Sequence, residues 1–111
     1  MDHNHQPKIL HHDQYGYVAY CKNCQGFKVG FGNVYLNQSL ADFKGFAEII
    51  HRQYVKCANC DQADYRRRDI HIGSPYPGFG LLFSAADVER LNHMLQKTLL
   101  IIASKAEIRL Q

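Results

Sequence analysis

The sequence predicts an α+β domain made of two similar halves, each combining a cysteine pair, a β-hairpin and a helix. First, all four cysteines fall into two CxxC pairs. Second, segments that alternate polar and apolar residues follow the pairs, as half-buried strands do. Third, each half ends in an amphipathic segment that opens with serine, a residue favoured at helix N-termini. A chain of 111 residues corresponds to one compact domain.

The domain organisation follows from these patterns. Residues 1–13 are polar and rich in histidine, and we expect them to form a flexible arm. The remainder, 14–111, is then a single metal-stapled α+β domain. Its half-repeats cover about residues 15–54 and 55–111.

Strands are predicted where β-branched and aromatic residues alternate with polar ones, over residues 15–20, 27–31, 33–37, 64–73 and 80–83. Gly32 and Asn33 separate two of these segments and predict a tight hairpin turn.

Two helices are predicted from capping signals and periodicity. Ser39 with Asp42, and Ser84 with Asp87, match the pattern of a capping box. Apolar residues then recur at the same spacings behind each serine, which indicates an internal duplication. The first helix is expected to end near Tyr54, where the second cysteine pair approaches.

The C-terminal segment is expected to form one long helix over about residues 85–108, although the run at 98–103 is also compatible with a strand. Its main apolar stripe consists of Val88, Leu91, Leu95, Leu99, Ile102 and Ala106. A second line at Met94, Ile101 and Ile108 predicts an exposed contact surface, for a second copy of the chain or for another protein partner.

The cysteine spacing predicts one four-cysteine metal site. Cys21 and Cys24 supply two thiolates from one turn, and Cys57 and Cys60 supply two more. Four thiolates suit a closed tetrahedral Zn²⁺ site, with iron as the less favoured metal. Such a site has no open position for water or substrate, so it indicates a structural metal. Thiol redox chemistry and rubredoxin-like electron transfer remain alternatives, although neither pair opens a recognisable amphipathic helix.

The net charge and the composition do not indicate which class of partner the protein binds. The formal net charge of +3 falls to +1 once four thiolates and one divalent ion are counted. No signal-peptide pattern follows the first residues, and no apolar run is long enough to span a bilayer. We therefore expect a cytoplasmic protein without a membrane partner.

Two further clusters are candidates for contacts. The sequence has one basic run, Arg66, Arg67 and Arg68. It can be interpreted as a contact to phosphate or nucleic acid, or as a solvated edge strand with salt bridges. The N-terminal histidines, His3 and His5, suggest a second metal site. The alternative interpretation is a solvated arm that binds no metal. No nucleophile elbow, phosphate-binding glycine loop or HExxH motif is present, so no enzyme class is indicated.

The stretch CKNCQGFKVGFGNVYLNQSLADFKGF and the later GLLFSAADVERLNHML together resemble a small family of uncharacterised proteins from Bacteroidetes-type bacteria. The resemblance implies a bacterial cytosolic protein with a CxxC knuckle, an FGN-like hairpin and a capped helix. It implies no activity.

The function predicted from the sequence is a non-catalytic, zinc-binding protein-interaction or regulatory module. A nucleic-acid-binding zinc ribbon and a redox or electron-transfer protein are the alternatives. Salt-dependent nucleic-acid binding distinguishes the first alternative, and the red-brown colour of iron–sulfur centres distinguishes the second.

Overall fold

The computed structural model describes residues 7–58, 65–73 and 77–105. It confirms an α+β fold with a four-stranded sheet, a two-stranded sheet and two helices. The elements in chain order are β1 (Lys8–Asp13), β2 (Gly16–Cys21), β3 (Gly26–Phe31), β4 (Val34–Gln38), α1 (Leu40–Ala58), β5 (Ile70–Gly73), β6 (Gly80–Phe83) and α2 (Ala85–Ala103). No helix within these ranges is long and apolar enough to cross a membrane.

The larger sheet is an antiparallel meander in the order β1–β2–β3–β4. Val18 in β2 lies opposite Val29 in β3, which lies opposite Leu36 in β4. Because side chains alternate along a strand, this register places apolar residues of all three strands on one face. Both helices pack against that sheet, α1 against β3 and β4, and α2 against β1 and β2.

Strand β1 corrects the expectation of a flexible arm over residues 1–13. Lys8–Asp13 is an edge strand paired with β2, and its Leu10 is buried in the core. Residues 1–6 lie outside the described residues. The following turn is fixed by Asp13, whose Oδ1 accepts hydrogen bonds from the backbone N–H groups of Tyr15 at 2.8 Å and Gly16 at 3.1 Å.

The environment of Asp13 lowers the pKa of its carboxyl group. Burial acts in the opposite direction and raises the pKa, but three hydrogen bonds outweigh it. These come from the backbone N–H of Tyr15, the side chain of His11 and the backbone N–H of Gly16. The carboxylate is therefore the form that holds the β1–β2 turn, and its contribution to stability is lost as the pH falls through its lowered pKa.

The two loops at one end of the sheet define the turn end of the domain, and the opposite end is the knuckle end. At the turn end the Gly32 N–H donates to the Tyr15 carbonyl at 3.3 Å, which joins the β1–β2 and β3–β4 turns. Gly32 has a φ of 57°, the left-handed conformation that the predicted tight turn requires. The knuckle end carries the loop between β2 and β3.

Helix α1 runs from the knuckle end to the turn end. Near its start, Phe43 stacks on Phe27 with ring centroids 5.0 Å apart. Near its finish, Tyr54 lines the same cavity as Tyr15. The helix extends to Ala58 rather than ending near Tyr54, because neither glycine nor proline interrupts the intervening residues.

Helix α2 runs in the opposite direction, from the turn end to the knuckle end. Arg90, in its second turn, lies over the Tyr15 ring at 4.3 Å from the centroid. His51 of α1 and Asn92 of α2 are joined by a 3.3 Å hydrogen bond between Nδ1 and Oδ1. The helix is continuous through residues 98–103, which excludes a strand there, but it ends at Ala103 with Ser104 as its C-cap, earlier than the predicted end near residue 108.

The predicted contact line on α2 does not form one exposed surface. Met94 is fully buried, and Ile101 is partly buried against the core. Ile108 lies outside the described residues. The correction has a simple cause: α2 packs against both the sheet and α1, so two adjacent stripes of the same helix are covered.

The two hairpin–helix units, β3–β4–α1 and β5–β6–α2, share an element order, but the cysteine pairs stand in different settings. The first pair lies in the β2–β3 loop, whereas Cys57 lies inside the last turn of α1. The strand predicted over residues 64–73 shortens to Ile70–Gly73. Arg66–Arg68 precede it in irregular structure, because only the last residues of the segment alternate.

Replacing Ser84 with alanine tests the capping box of α2. The Ser84 hydroxyl accepts from the Asp87 N–H at 3.0 Å, and the Asp87 carboxylate accepts from the Ser84 N–H at 3.0 Å. We expect Ser84→Ala to lower the free energy of unfolding by about 1 kcal/mol, measured by chemical denaturation. The control is Ser104→Ala at the exposed C-terminal cap, for which we expect a smaller loss. Equal losses would contradict the assigned role of the N-terminal cap.

Candidate metal centre

The loop Cys21–Gly26, here called the knuckle, is a tight turn organised around sulfur. Cys21 ends β2 and is buried, whereas Cys24 is exposed at the tip. The Cys24 backbone N–H donates to the Cys21 Sγ at 3.4 Å. The Gln25 N–H donates to the Lys22 carbonyl at 3.2 Å. A backbone N–H aimed at sulfur stabilises a thiolate, which is the form that binds metal.

The residue in the left-handed conformation is Gln25, with a φ of 50°. The neighbouring Gly26 begins β3, and a Cβ there would meet only ordinary contacts. A non-glycine residue in this conformation is uncommon and marks a locally determined backbone.

The two thiol groups of the knuckle face each other. A hydrogen bond with the Cys21 side chain is the main cause that raises the pKa of the Cys24 thiol, followed by burial and by the charge of Cys21. Lys28 acts in the opposite direction. A divalent cation placed between two such sulfurs reverses this effect, because it favours both thiolates at once. The two thiols are thus close enough to interact, as two ligands of one metal ion would have to be.

Cys57 lies far from the knuckle. It is a half-buried residue in the last turn of α1, at the turn end. From Phe43, which stacks beside the knuckle, the helix extends about 21 Å to Cys57 at 1.5 Å per residue. No group of three or more His, Cys, Asp or Glu side chains suited to a metal occurs within residues 7–58, 65–73 and 77–105. Cys60 lies outside those ranges, so the four-cysteine site stays a prediction.

The arginine run is largely engaged with carboxylates. Arg67 pairs with Asp69 at 3.5 Å, and Arg68 pairs with Asp87 at 3.4 Å. The structure also brings Arg66 and Arg68 to one small cleft with Arg90 of α2. Arg90 was not identified from the sequence, because its place beside the loop depends on how α2 packs.

A cavity of about 570 Å³ lies at the turn end. Its walls include three tyrosines and charged groups of both signs, with Asp13, Tyr15, Tyr54, Tyr65, Glu89, Arg90, His93 and Lys97 among them. The Tyr65 hydroxyl is hydrogen-bonded to Glu89. The residues that line the cavity come from β1, the β1–β2 turn, α1, α2 and the loop before β5. No local sequence pattern therefore indicated this cavity.

Comparison with known proteins identifies the family. Residues 1–108 match a family of unknown function, DUF6686, which therefore covers almost the whole chain. Comparison with curated proteins gave no match, and comparison with solved structures gave none. The bacterial source and the zinc-ribbon character implied by the earlier resemblance stay predictions. The chain belongs to the family of unknown function DUF6686.

Proposed function

We propose that this chain is a non-catalytic zinc-binding module that acts through protein contacts. The observation that carries the proposal is the knuckle, where the Cys24 N–H points at the Cys21 sulfur and the two thiols are neighbours. Sulfur ligands favour zinc or iron over harder cations such as magnesium. Zinc is the favoured metal, and iron is the alternative.

A structural role is supported by the size of the domain. A chain of 111 residues buries only about two-thirds of the surface that its unfolded form exposes. The larger sheet has β1 as an edge strand, which is paired with β2 on one side. A zinc ion at the knuckle would join the ends of β2 and β3 at the place where the β-ladder stops.

The contact surface that supports an interaction role lies on the second hairpin. Phe79, just before β6, is 60% exposed, and Leu82 within it is 58% exposed. Leu82 lies on the two-stranded sheet and Phe79 lies next to it, and exposed large apolar side chains are a feature that partner proteins use in hydrophobic contact. A heterologous protein or a second copy of the chain are the two classes of partner.

The metal is tested by zinc analysis of purified protein. We expect about one equivalent of zinc per chain, and we expect its loss from the Cys21→Ser/Cys24→Ser variant together with a lower melting temperature, because structural zinc contributes folding free energy. A matched control replaces the exposed Ser39 and Ser104 with alanine and should retain the zinc. Wild-type protein that binds neither zinc nor iron after reconstitution would end the proposal.

A second candidate function, binding of nucleic acid or another polyanion, is favoured by one observation. Arg66 and Arg68 of the loop and Arg90 of α2 line the same cleft. The ion pair between Arg68 and Asp87 weighs against it, since it neutralises part of the charge. A phosphate would have to compete with that carboxylate.

The cleft is tested by replacing Arg66, Arg68 and Arg90 with glutamine and measuring binding to generic single-stranded and duplex nucleic acid. If the cleft contacts phosphate, the affinity of the variant for nucleic acid at low salt falls. The slope of log affinity against log salt concentration then becomes shallower by the equivalent of up to about three phosphate contacts. The control removes the same charge from α1, at Lys44, Arg52 and Lys56, all exposed. Absence of binding by the parent protein, or equal losses in both variants, would exclude this function.

A further inference from the structure

We propose that the cavity at the turn end binds a small ligand in which an anionic group is joined to an aromatic ring. The inference goes beyond the proposed zinc binding and does not depend on it, because the cavity and the knuckle lie at opposite ends of the domain. The volume of the cavity, about 570 Å³, falls within the range of about 300–1,000 Å³ that is usual for small-molecule sites.

One face of α2 supplies a row of basic side chains to the cavity. Arg90, His93 and Lys97 stand at positions i, i+3 and i+7, which share a helix face. At 1.5 Å per residue, Arg90 and Lys97 are about 10 Å apart along the helix axis. Within residues 7–58, 65–73 and 77–105, neither of these two cations forms an ion pair with a carboxylate. An anionic ligand can therefore bind them without displacing a protein carboxylate.

The two carboxylates that line the cavity already have hydrogen-bond donors of their own. Asp13 accepts from two backbone N–H groups of the β1–β2 turn and pairs with the His11 ring at 3.2 Å. Glu89 accepts a hydrogen bond from the Tyr65 hydroxyl. These donors stabilise the two negative charges locally. The positive charges of the α2 row have no such local partner, and this difference favours an anion over a cation as the ligand.

Three tyrosine side chains favour a ligand with an aromatic ring. Tyr15, Tyr54 and Tyr65 line the cavity from three separate segments of the chain. Their rings offer apolar faces and edges against which another ring can pack. The guanidinium carbon of Arg90 lies 4.3 Å from the centroid of the Tyr15 ring. A guanidinium that rests its face on a ring keeps its in-plane N–H donors for an anion. Groups that bind a ring and groups that bind an anion are thus adjacent.

Two kinds of molecule carry this chemistry, nucleoside monophosphates and aromatic carboxylic acids. The experiment titrates full-length wild-type protein by calorimetry with adenosine monophosphate and with 4-hydroxybenzoate. Adenosine, phenol and inorganic phosphate each carry only one half of the chemistry. We expect at least one of the two complete probes to bind about 10-fold or more tightly than its halves, and the probe that does so identifies the kind of ligand. Binding of neither probe, or equally tight binding of a half, would overturn the proposal.

Substitutions test whether the bound probe occupies this cavity. Arg90→Gln/Lys97→Gln should weaken its binding by about 10-fold or more, because hydrogen bonds to charged groups are lost. The control Lys44→Gln/Lys56→Gln removes two exposed lysines of α1 and should match wild type. Equal losses in the two variants would contradict a site on α2.

The contribution of the rings is tested by Tyr65→Leu, which should also weaken binding of the probe. Its control is Tyr35→Leu, which removes an exposed tyrosine on β4 outside the cavity and should leave binding unchanged. Equal affinities in the two variants would contradict the stacking role of Tyr65.

A further measurement does not require any variant to fold. In wild-type protein, nuclear Overhauser effects should connect the aromatic protons of the bound probe to the rings of Tyr15, Tyr54 or Tyr65. Contacts only to residues outside the cavity would overturn the proposal even if the probe binds. Wild-type protein that binds no metal would end the proposed zinc function and leave this inference standing.

Discussion

Strand β2 is hydrogen-bonded on both sides, and this pairing fixes where the knuckle lies. Its register with β3 places Val18 against Val29 in the core and Cys21 against Gly26 at the knuckle. Its register with β1 places the start of the described chain beside the same knuckle. A slip of one residue would turn the apolar side chains outward, so the buried face enforces the arrangement. The knuckle is therefore held by core packing as well as by its own turn.

Energetic scale explains why a metal would matter here. A folded domain is stable by about 5–15 kcal/mol, and structural zinc in small peptides contributes about 10–16 kcal/mol of apparent binding free energy. The core formed by Phe27, Phe43 and their neighbours is continuous but small. A zinc ion at the knuckle end would complement the capping box of α2 and the Asp13 turn, which fix the chain at the turn end. The knuckle end of the domain would then be held by a metal ion, and the turn end by hydrogen bonds.

Local rules predicted the parts of the fold that depend on neighbours in sequence. The strands around Gly32 and the Ser84 cap follow from turn chemistry and capping, which act within a few residues. Strand β1 was missed because its KILHHD segment buries only Leu10 and depends on pairing with β2. The burial of Met94 was missed because it depends on how α2 packs between its neighbours.

In the candidate site, too, the features that depend on neighbours in sequence were predicted and those that depend on tertiary packing were not. CxxC spacing identified the Cys21–Cys24 knuckle, since two ligands from one turn are a local pattern. Spacing could not tell where Cys57 lies, because the direction and length of α1 decide it. The arginine run was found, but its ion pairs with Asp69 and Asp87 depend on the loop and on α2.

X-ray absorption at the zinc edge of the loaded wild-type protein tests the central claim most directly, because it reads the ligand atoms without any substitution. The account predicts a shell that includes the two sulfur atoms of the knuckle, at about 2.3 Å from the metal. A shell of nitrogen and oxygen atoms without sulfur would contradict it, because the knuckle would then not bind the metal.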